Sequence, residues 1–124
     1  MDSYEVTLNV KRNGVPVDAL SIVKRIEVDE AQQFAYEKAA DNDATTFTAM
    51  PTDQIGTIQL LVVKADRAVT LRLDAQSDAG IELNAGGMLI VMDATINAGV
   101  STNAKINNPH ASLAALVEGI AAGT

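Results

Sequence analysis

Thr57-Ile58-Gln59-Leu60-Leu61-Val62-Val63-Lys64, followed by the Asp66-Arg67 turn and by Val69-Thr70-Leu71-Arg72-Leu73, decides the fold. Leu60 to Val63 is a continuous apolar run, rich in branched side chains and only four residues long. A run of that kind reads as a strand in a sandwich interior, where both faces are covered. Beyond the turn, Val69, Leu71 and Leu73 alternate with Thr70 and Arg72, the period of two that places one face of a strand on a core and the other in water.

The same signal extends outward in both directions. Tyr4, Val6, Leu8 and Val10 alternate with Glu5, Thr7, Asn9 and Lys11. Asn13-Gly14, a pair that tolerates positive φ, marks a tight turn, and Pro16 makes the next residues an edge or a connection. Ser21 to Asp29 resumes as a strand through Ile22, Ile26 and Val28, with Lys24 interrupting the set. Downstream, Gly80 precedes the short Ile81-Glu82-Leu83, and Asn84-Ala85-Gly86-Gly87 leads into the apolar run Met88 to Met92. Within 97–108, a polar stretch, Val100 and Ile106 stand out as anchors for short strands. Strand runs punctuated at intervals of about 8–12 residues indicate a sandwich or barrel and not βαβ units. The fold class is therefore all-β, with residues 1–124 forming a single β-sandwich domain, a size that holds its own core.

Two segments are ambiguous. Across 29–41, Asp29 and Gln32 form a capping box ahead of Ala31, Phe34, Ala35 and Ala39 on one helical face. Phe34, Tyr36 and Lys38 also alternate with Gln33, Ala35 and Glu37, and Asp41-Asn42-Asp43 is a turn signal before the β-favouring Thr45-Thr46-Phe47-Thr48. The all-β surroundings favour a hairpin across Asp41–Asp43. In 111–120, Leu113, Leu116, Val117 and Ile120 have helical spacing, whereas Ala111, Leu113, Ala115 and Val117 line one face of a strand. Both readings stay open.

Composition narrows the function classes. The net charge is −7 and the sequence pI is about 4.4, an average field that repels phosphate backbones. The basic pairs Lys11-Arg12 and Lys24-Arg25 are too small to oppose it, so no nucleic-acid partner is expected. The start, Met1-Asp2-Ser3-Tyr4-Glu5, is acidic and polar, unlike a signal peptide, and the longest apolar runs are too short to cross a bilayer as helices, so no membrane partner is expected either. No cysteine is present, which removes disulfides, thiolate metal sites and a cysteine nucleophile, and fits a reducing compartment.

Chemistry-bearing patterns are scarce. His110 is the single histidine, with no nucleophile-elbow sequence to accompany it, and reads as an exposed loop residue. Asp41, Asp43 and Thr45 offer oxygens at alternate positions as calcium loops do. Thr46 and Thr52 stand where that loop needs its glycine and bidentate glutamate, so the stretch reads as a turn. Gly86-Gly87 lacks a strand-and-helix setting for phosphate. The expectation is a protein that is not an enzyme, with no catalytic residue, cofactor or metal. Sugar binding leans on aromatic platforms, and Tyr4, Phe34, Tyr36 and Phe47 read instead as core or half-buried at a contact.

The dense runs suggest assembly. Only alternate residues of a strand face the core of one sandwich, so Leu61, Val63, Leu89 and Val91, or their neighbours, must lie under another element or at a subunit interface.

Leu60 to Leu73, continuing through Ile81-Glu82-Leu83-Asn84-Ala85-Gly86-Gly87-Met88-Leu89-Ile90-Val91 and ending in Val117-Glu118-Gly119-Ile120-Ala121-Ala122-Gly123-Thr124, resembles small virion proteins of tailed bacteriophages. Those include capsid decoration (cement) proteins and tail or tail-adaptor subunits, commonly β-sandwiches or jelly rolls that work as oligomers. The resemblance covers about the second half of the chain and is one of pattern, so no residue role is carried over. It implies a jelly-roll-like sandwich and a capsid decoration protein, assembled in the host cytoplasm and resident in the virion. Its partners would be copies of itself, a trimer being favoured, and a major capsid or other virion protein. A tail or baseplate subunit and a carbohydrate- or host-surface-binding module are the alternatives.

Overall fold

The computed structural model describes residues 2–52, 55–73, 80–96 and 104–124. Among these the secondary structure is strand throughout, apart from one turn of 3-10 helix at Asp18–Leu20. The strands are β1 (Asp2–Leu8), β2 (Lys11–Arg12), β3 (Val15–Pro16), β4 (Ile22–Val28), β5 (Glu30–Lys38), β6 (Thr48–Ala49), β7 (Ile58–Ala65), β8 (Val69–Arg72), β9 (Ile81–Leu83), β10 (Met88–Ile96), β11 (Lys105–Asn107) and β12 (Ala115–Gly123). The fold is all-β and antiparallel, as the alternation predicts.

Eight strands form two four-stranded sheets, ordered β10-β7-β12-β5 and β6-β11-β8-β9. The pairing is nested: β5 with β12, β6 with β11, β7 with β10, and β8 with β9. The chain from Glu30 to Gly123 thus behaves as one long antiparallel ribbon that runs out to β8, turns back at β9, and is rolled until β7 meets β12 and β8 meets β11. Rolling puts the ribbon's two halves side by side and covers most strand edges, which would otherwise offer unpaired backbone groups.

Between the sheets lies the main core. Leu61, Val63 and Ala65 of β7, Ala115, Val117 and Ala121 of β12, and Val69 and Leu71 of β8 are at most 2% exposed. Full burial of one Val or Leu contributes roughly 1.5–3 kcal/mol. Within the first sheet a small residue makes room for a large one. Phe34 lies beside Gly119 on the neighbouring strand, and a Cβ at Gly119 would strike the Val62 carbonyl oxygen and come within 2.8 Å of the Phe34 ring.

Both ambiguous segments are strands. Glu30–Lys38 alternates with Phe34 and Lys38 inward, and Ala115–Gly123 uses the Ala115 and Val117 face. The hairpin expected across Asp41–Asp43 does not form. β5 pairs with β12 and β6 pairs with β11 in the opposite sheet, so this bend carries the chain from one sheet to the other. The reason is long-range: Asp41 N–H donates to the Asn108 carbonyl at 2.8 Å, a tie that local propensity does not reveal. Ile106 is fully buried on β11, as its apolar character predicts, whereas the Val100 anchor falls outside the described residues.

Residues 2–28 precede the rolled ribbon as a separate arm. β1 and β4 pair over seven positions, from Asp2↔Val28 to Leu8↔Ile22. At the far end β2 and β3 close around Asn13 (φ 51°) and Gly14 (φ 81°), the left-handed pair that the sequence marked as a tight turn.

Candidate interaction surface

The four residues expected at an interface occupy the inward register. Leu61 and Val63 are fully buried in the main core, and Leu89 and Val91 pack against it. Cross-strand pairing sets this register: Leu89 faces Val63 and Val91 faces Leu61. Contact through these side chains would require opening the sandwich, and the outward side chains of these strands are the alternate set.

That set lines the outer face of the first sheet. Met88, Ile90 and Met92 stand beside Lys64, Val62 and Leu60, and β12 adds Leu116, Glu118, Ile120 and Ala122 in the same register. The arm covers one end. Ile26 and Val28 of β4 bury Leu60 and Ala122, with Tyr4, Val6, Ala31, Val62 and Met92 packed around them. At the other end nothing of the described chain lies over the sheet, and Met88, Ile90 and Leu116 are 53%, 38% and 40% exposed. These apolar side chains are interleaved with Lys64 and Glu118 in the same register.

Lys24 pins the arm. Its ammonium sits 2.6 Å from the Asp93 carboxylate on β10. Asp93 has φ 52° within the irregularity between Met92 and Ile96, and a bulge there re-aims the side chain toward the arm. Both groups are well exposed, so the pair orients the arm more than it stabilises it.

Where β5 leaves the sheet, a polar cluster locks the crossing. Lys38, in step with Phe34 and Tyr36, turns inward and is nearly buried; its ammonium bonds both Asp41 carboxylate oxygens at 2.9 Å. Asp41 also accepts from Asn107 Nδ2 at 3.3 Å and from Asn108 N–H at 2.9 Å. The Asn107 amide donates to the Thr46 carbonyl at 2.7 Å, and the Asn108 amide donates to the Lys38 and Leu113 carbonyls. Asp43 accepts from the Thr46 hydroxyl at 2.7 Å and from the backbone N–H groups of Thr45 and Thr46. Those bonds, the Thr46 hydroxyl first, hold its carboxyl below the usual range. The oxygens considered for calcium are thus aimed at protein donors, and the arrangement closes a bend. The inward register of Lys38 was the sequence signal for this cluster, because a buried ammonium demands a carboxylate partner.

His110 is exposed, and its Nδ1 accepts from the backbone N–H groups of Ser112 at 3.1 Å and Leu113 at 2.9 Å. A shallow groove beside it is walled by Asp66, Arg67, Ala68, Ala85 and Pro109. Asp66 and Arg67 both turn toward the last strand: Asp66 accepts from Leu116 N–H at 2.8 Å, and Arg67 Nε donates to the Ala114 carbonyl at 3.1 Å. They hold a turn together.

The four aromatic residues are each engaged. Phe34 is buried and meets Tyr36 edge-on at 6.2 Å, burial pushes the Tyr36 phenol up to about 12, Tyr4 on the arm packs against the cluster of Ile26, Val28, Leu60 and Ala122, and the Arg72 guanidinium lies 3.9 Å over the Phe47 ring. No helix among the described residues is long and apolar enough to cross a membrane. Among the described residues no three His, Cys, Asp or Glu side chains cluster as metal ligands would. The chain defines an all-β protein with an arm and an open apolar flank; comparison with family models, curated proteins and solved structures found no match.

Proposed function

We propose that this chain is a virion structural protein of a tailed bacteriophage, acting as a capsid decoration protein that stabilises the assembled head as an oligomer. The observation that carries the reading is the open flank of the first sheet, where Met88, Ile90 and Leu116 are exposed on a rigid, rolled sandwich. A lattice protein needs such a surface, and many weak copies that bind only the assembled shell stabilise it by mass action. The nested pairing of β5 to β12 supports a jelly-roll winding, an architecture frequent in capsid proteins and lectins. The resemblance of the second half of the chain to small phage virion proteins supports the same role, and a tail or baseplate position follows from the same surface.

A glycan- or host-surface-binding module fits less well, because every aromatic ring already has a partner within the fold. Purified shells lacking the protein decide between the two readings. The decoration role requires saturable co-sedimentation with shells and a raised shell-disruption temperature. A protein that stays monomeric at high concentration, ignores shells and binds an immobilised glycan would establish the other reading.

A further inference from the structure

Burial along the arm falls steadily from base to tip. On the face of β4 turned toward the sheet, Val28 is 1% exposed, Ile26 6% and Ile22 41%. Val28 lies beside Asp29, whose N–H donates to Gly123 on β12 at 2.9 Å; Ile26 packs with Leu60 on β7; Lys24 reaches Asp93 on β10. The arm therefore crosses the sheet from the β5–β12 side to β10, and its tip runs past that edge. The tip is nonetheless an organised structure. Val17 N–H donates to the Val10 carbonyl at 2.8 Å, the Ser21 hydroxyl donates to the Val17 carbonyl and accepts from Val10 N–H, and the Asn13-Gly14 turn closes it. Its apolar side chains stay uncovered, with Val15 65% and Leu20 54% exposed. Ordering a tip whose apolar groups remain in water has no return within one molecule.

Charge identifies what receives it. Residues 2–28 hold four basic and four acidic side chains, so the whole net charge of −7 falls on the rest of the chain. Lys11 and Arg12 stand exposed on the tip beside Val15, with Asp18 the acidic group there. At the opposite edge of the sheet, Gln33, Phe34, Ala35, Glu118 and Gly119 line a shallow depression to which Gln33, Ala35 and Glu118 present the outward register. Glu37, exposed on β5, borders it, and Leu116, its partner on β12, supplies an exposed apolar rim. Lys64 pairs in register with Glu118 one strand further in, so the side toward β5 is the acidic one.

We propose that the arm tip of one copy docks on this depression of a second copy, with Lys11 and Arg12 facing Glu37 and Glu118 and Val15 and Leu20 lying toward Leu116. The tip leaves over β10 and the depression lies on β5 and β12, so a molecule does not reach its own site and the contact joins two copies head to tail. Such a heterologous contact closes into a ring when the rotation permits. The inference rests on the reading that the protein works by assembly, and it names the self-contact that builds the oligomer.

Charge exchange tests it. The pair variant Lys11→Glu with Arg12→Glu, and the pair variant Glu37→Lys with Glu118→Lys, are each expected to weaken self-association at least about tenfold at low salt, without loss of fold by circular dichroism. Combining all four substitutions in one chain restores the wild-type sedimentation boundary, because each reversed tip then meets a reversed site whatever the number of copies in the ring. Glu37→Lys alone repeats the test if the substitution beside Lys64 lowers stability. Wild-type association by either pair variant, a fourfold variant that stays dissociated, or a wild-type chain that is monomeric overturns the proposal. Shell binding by the wild-type chain, measured separately, shows whether the assembly reading itself survives that result.

Discussion

Replacing Asp41 with alanine is expected to destabilise the protein by about 3–5 kcal/mol, a large fraction of the stability of a domain this size. Lys38 and Asp41 side chains are only 8% and 10% exposed, and the ammonium rests on both carboxylate oxygens at 2.9 Å. Removing the carboxylate leaves a buried ammonium without its counter-charge. It also takes the acceptor from Asn108 N–H and from the Asn107 amide, which between them fasten β11 to the bend after β5. Lys38→Met combined with Asp41→Leu should cost much less than Asp41→Ala alone, since no isolated charge is left behind. Urea denaturation measures both; equal losses would mean that the cluster acts through shape alone.

Gly119→Val should be at least as damaging. A Cβ at this position meets the Val62 carbonyl oxygen, a backbone atom of the adjacent strand, and lies 2.8 Å from the Phe34 ring on the other side. A flexible neighbour would yield, but a carbonyl held in a ladder yields only when the strands part. The register Gly119↔Val63 and Gly119↔Phe34 places the collision at the middle strand of three. Overpacking a core costs about 1–3 kcal/mol when side chains alone must move, and more where the backbone must. The expected result is insoluble or molten protein, visible as lost dispersion in an amide NMR spectrum. A well-dispersed spectrum with a wild-type melting temperature would show that β7 and β12 are spaced more widely than described.

Alternation made most of the sheet legible. Val69 and Leu71 point inward and Thr70 and Arg72 do not, as the period of two requires, and Asn13-Gly14 announced its turn through residues that accept positive φ. Partnering was not legible. Thr45 to Thr48 looks like the return strand of a hairpin with β5, yet its strand joins β11, because Asn107 and Asn108 reach back more than sixty residues to tie down the bend. Glu30 to Lys38 satisfied a helical pattern as well as a strand; pairing with all nine residues of β12 settled the matter, and sequence periodicity carries no such term.

Which side of a dense strand faces the core was not legible either, for a related reason. A continuous run such as Leu60 to Val63 says that both faces are covered without saying which face meets the opposing sheet. Leu61 and Val63 took the inner side because β10 and β12 set their register, and Leu60 lies under an arm more than thirty residues upstream. Lys38 is the instructive exception, for its position in step with Phe34 already required an acid to be folded against it.

Leu89 and Ile90 are neighbours on one strand with opposite orientations, and substituting aspartate at each in turn tests most directly whether the outer flank is where the protein assembles. Leu89 packs on the main core and Ile90 is 38% exposed on the open flank. Sedimentation velocity, run beside thermal melts and shell co-sedimentation, should find Ile90→Asp folded with a near wild-type melting temperature but deficient in association or shell binding, and Leu89→Asp destabilised by several degrees. Assembly by Ile90→Asp indistinguishable from wild type, or a Leu89→Asp protein that keeps wild-type stability and loses only association, would contradict the account.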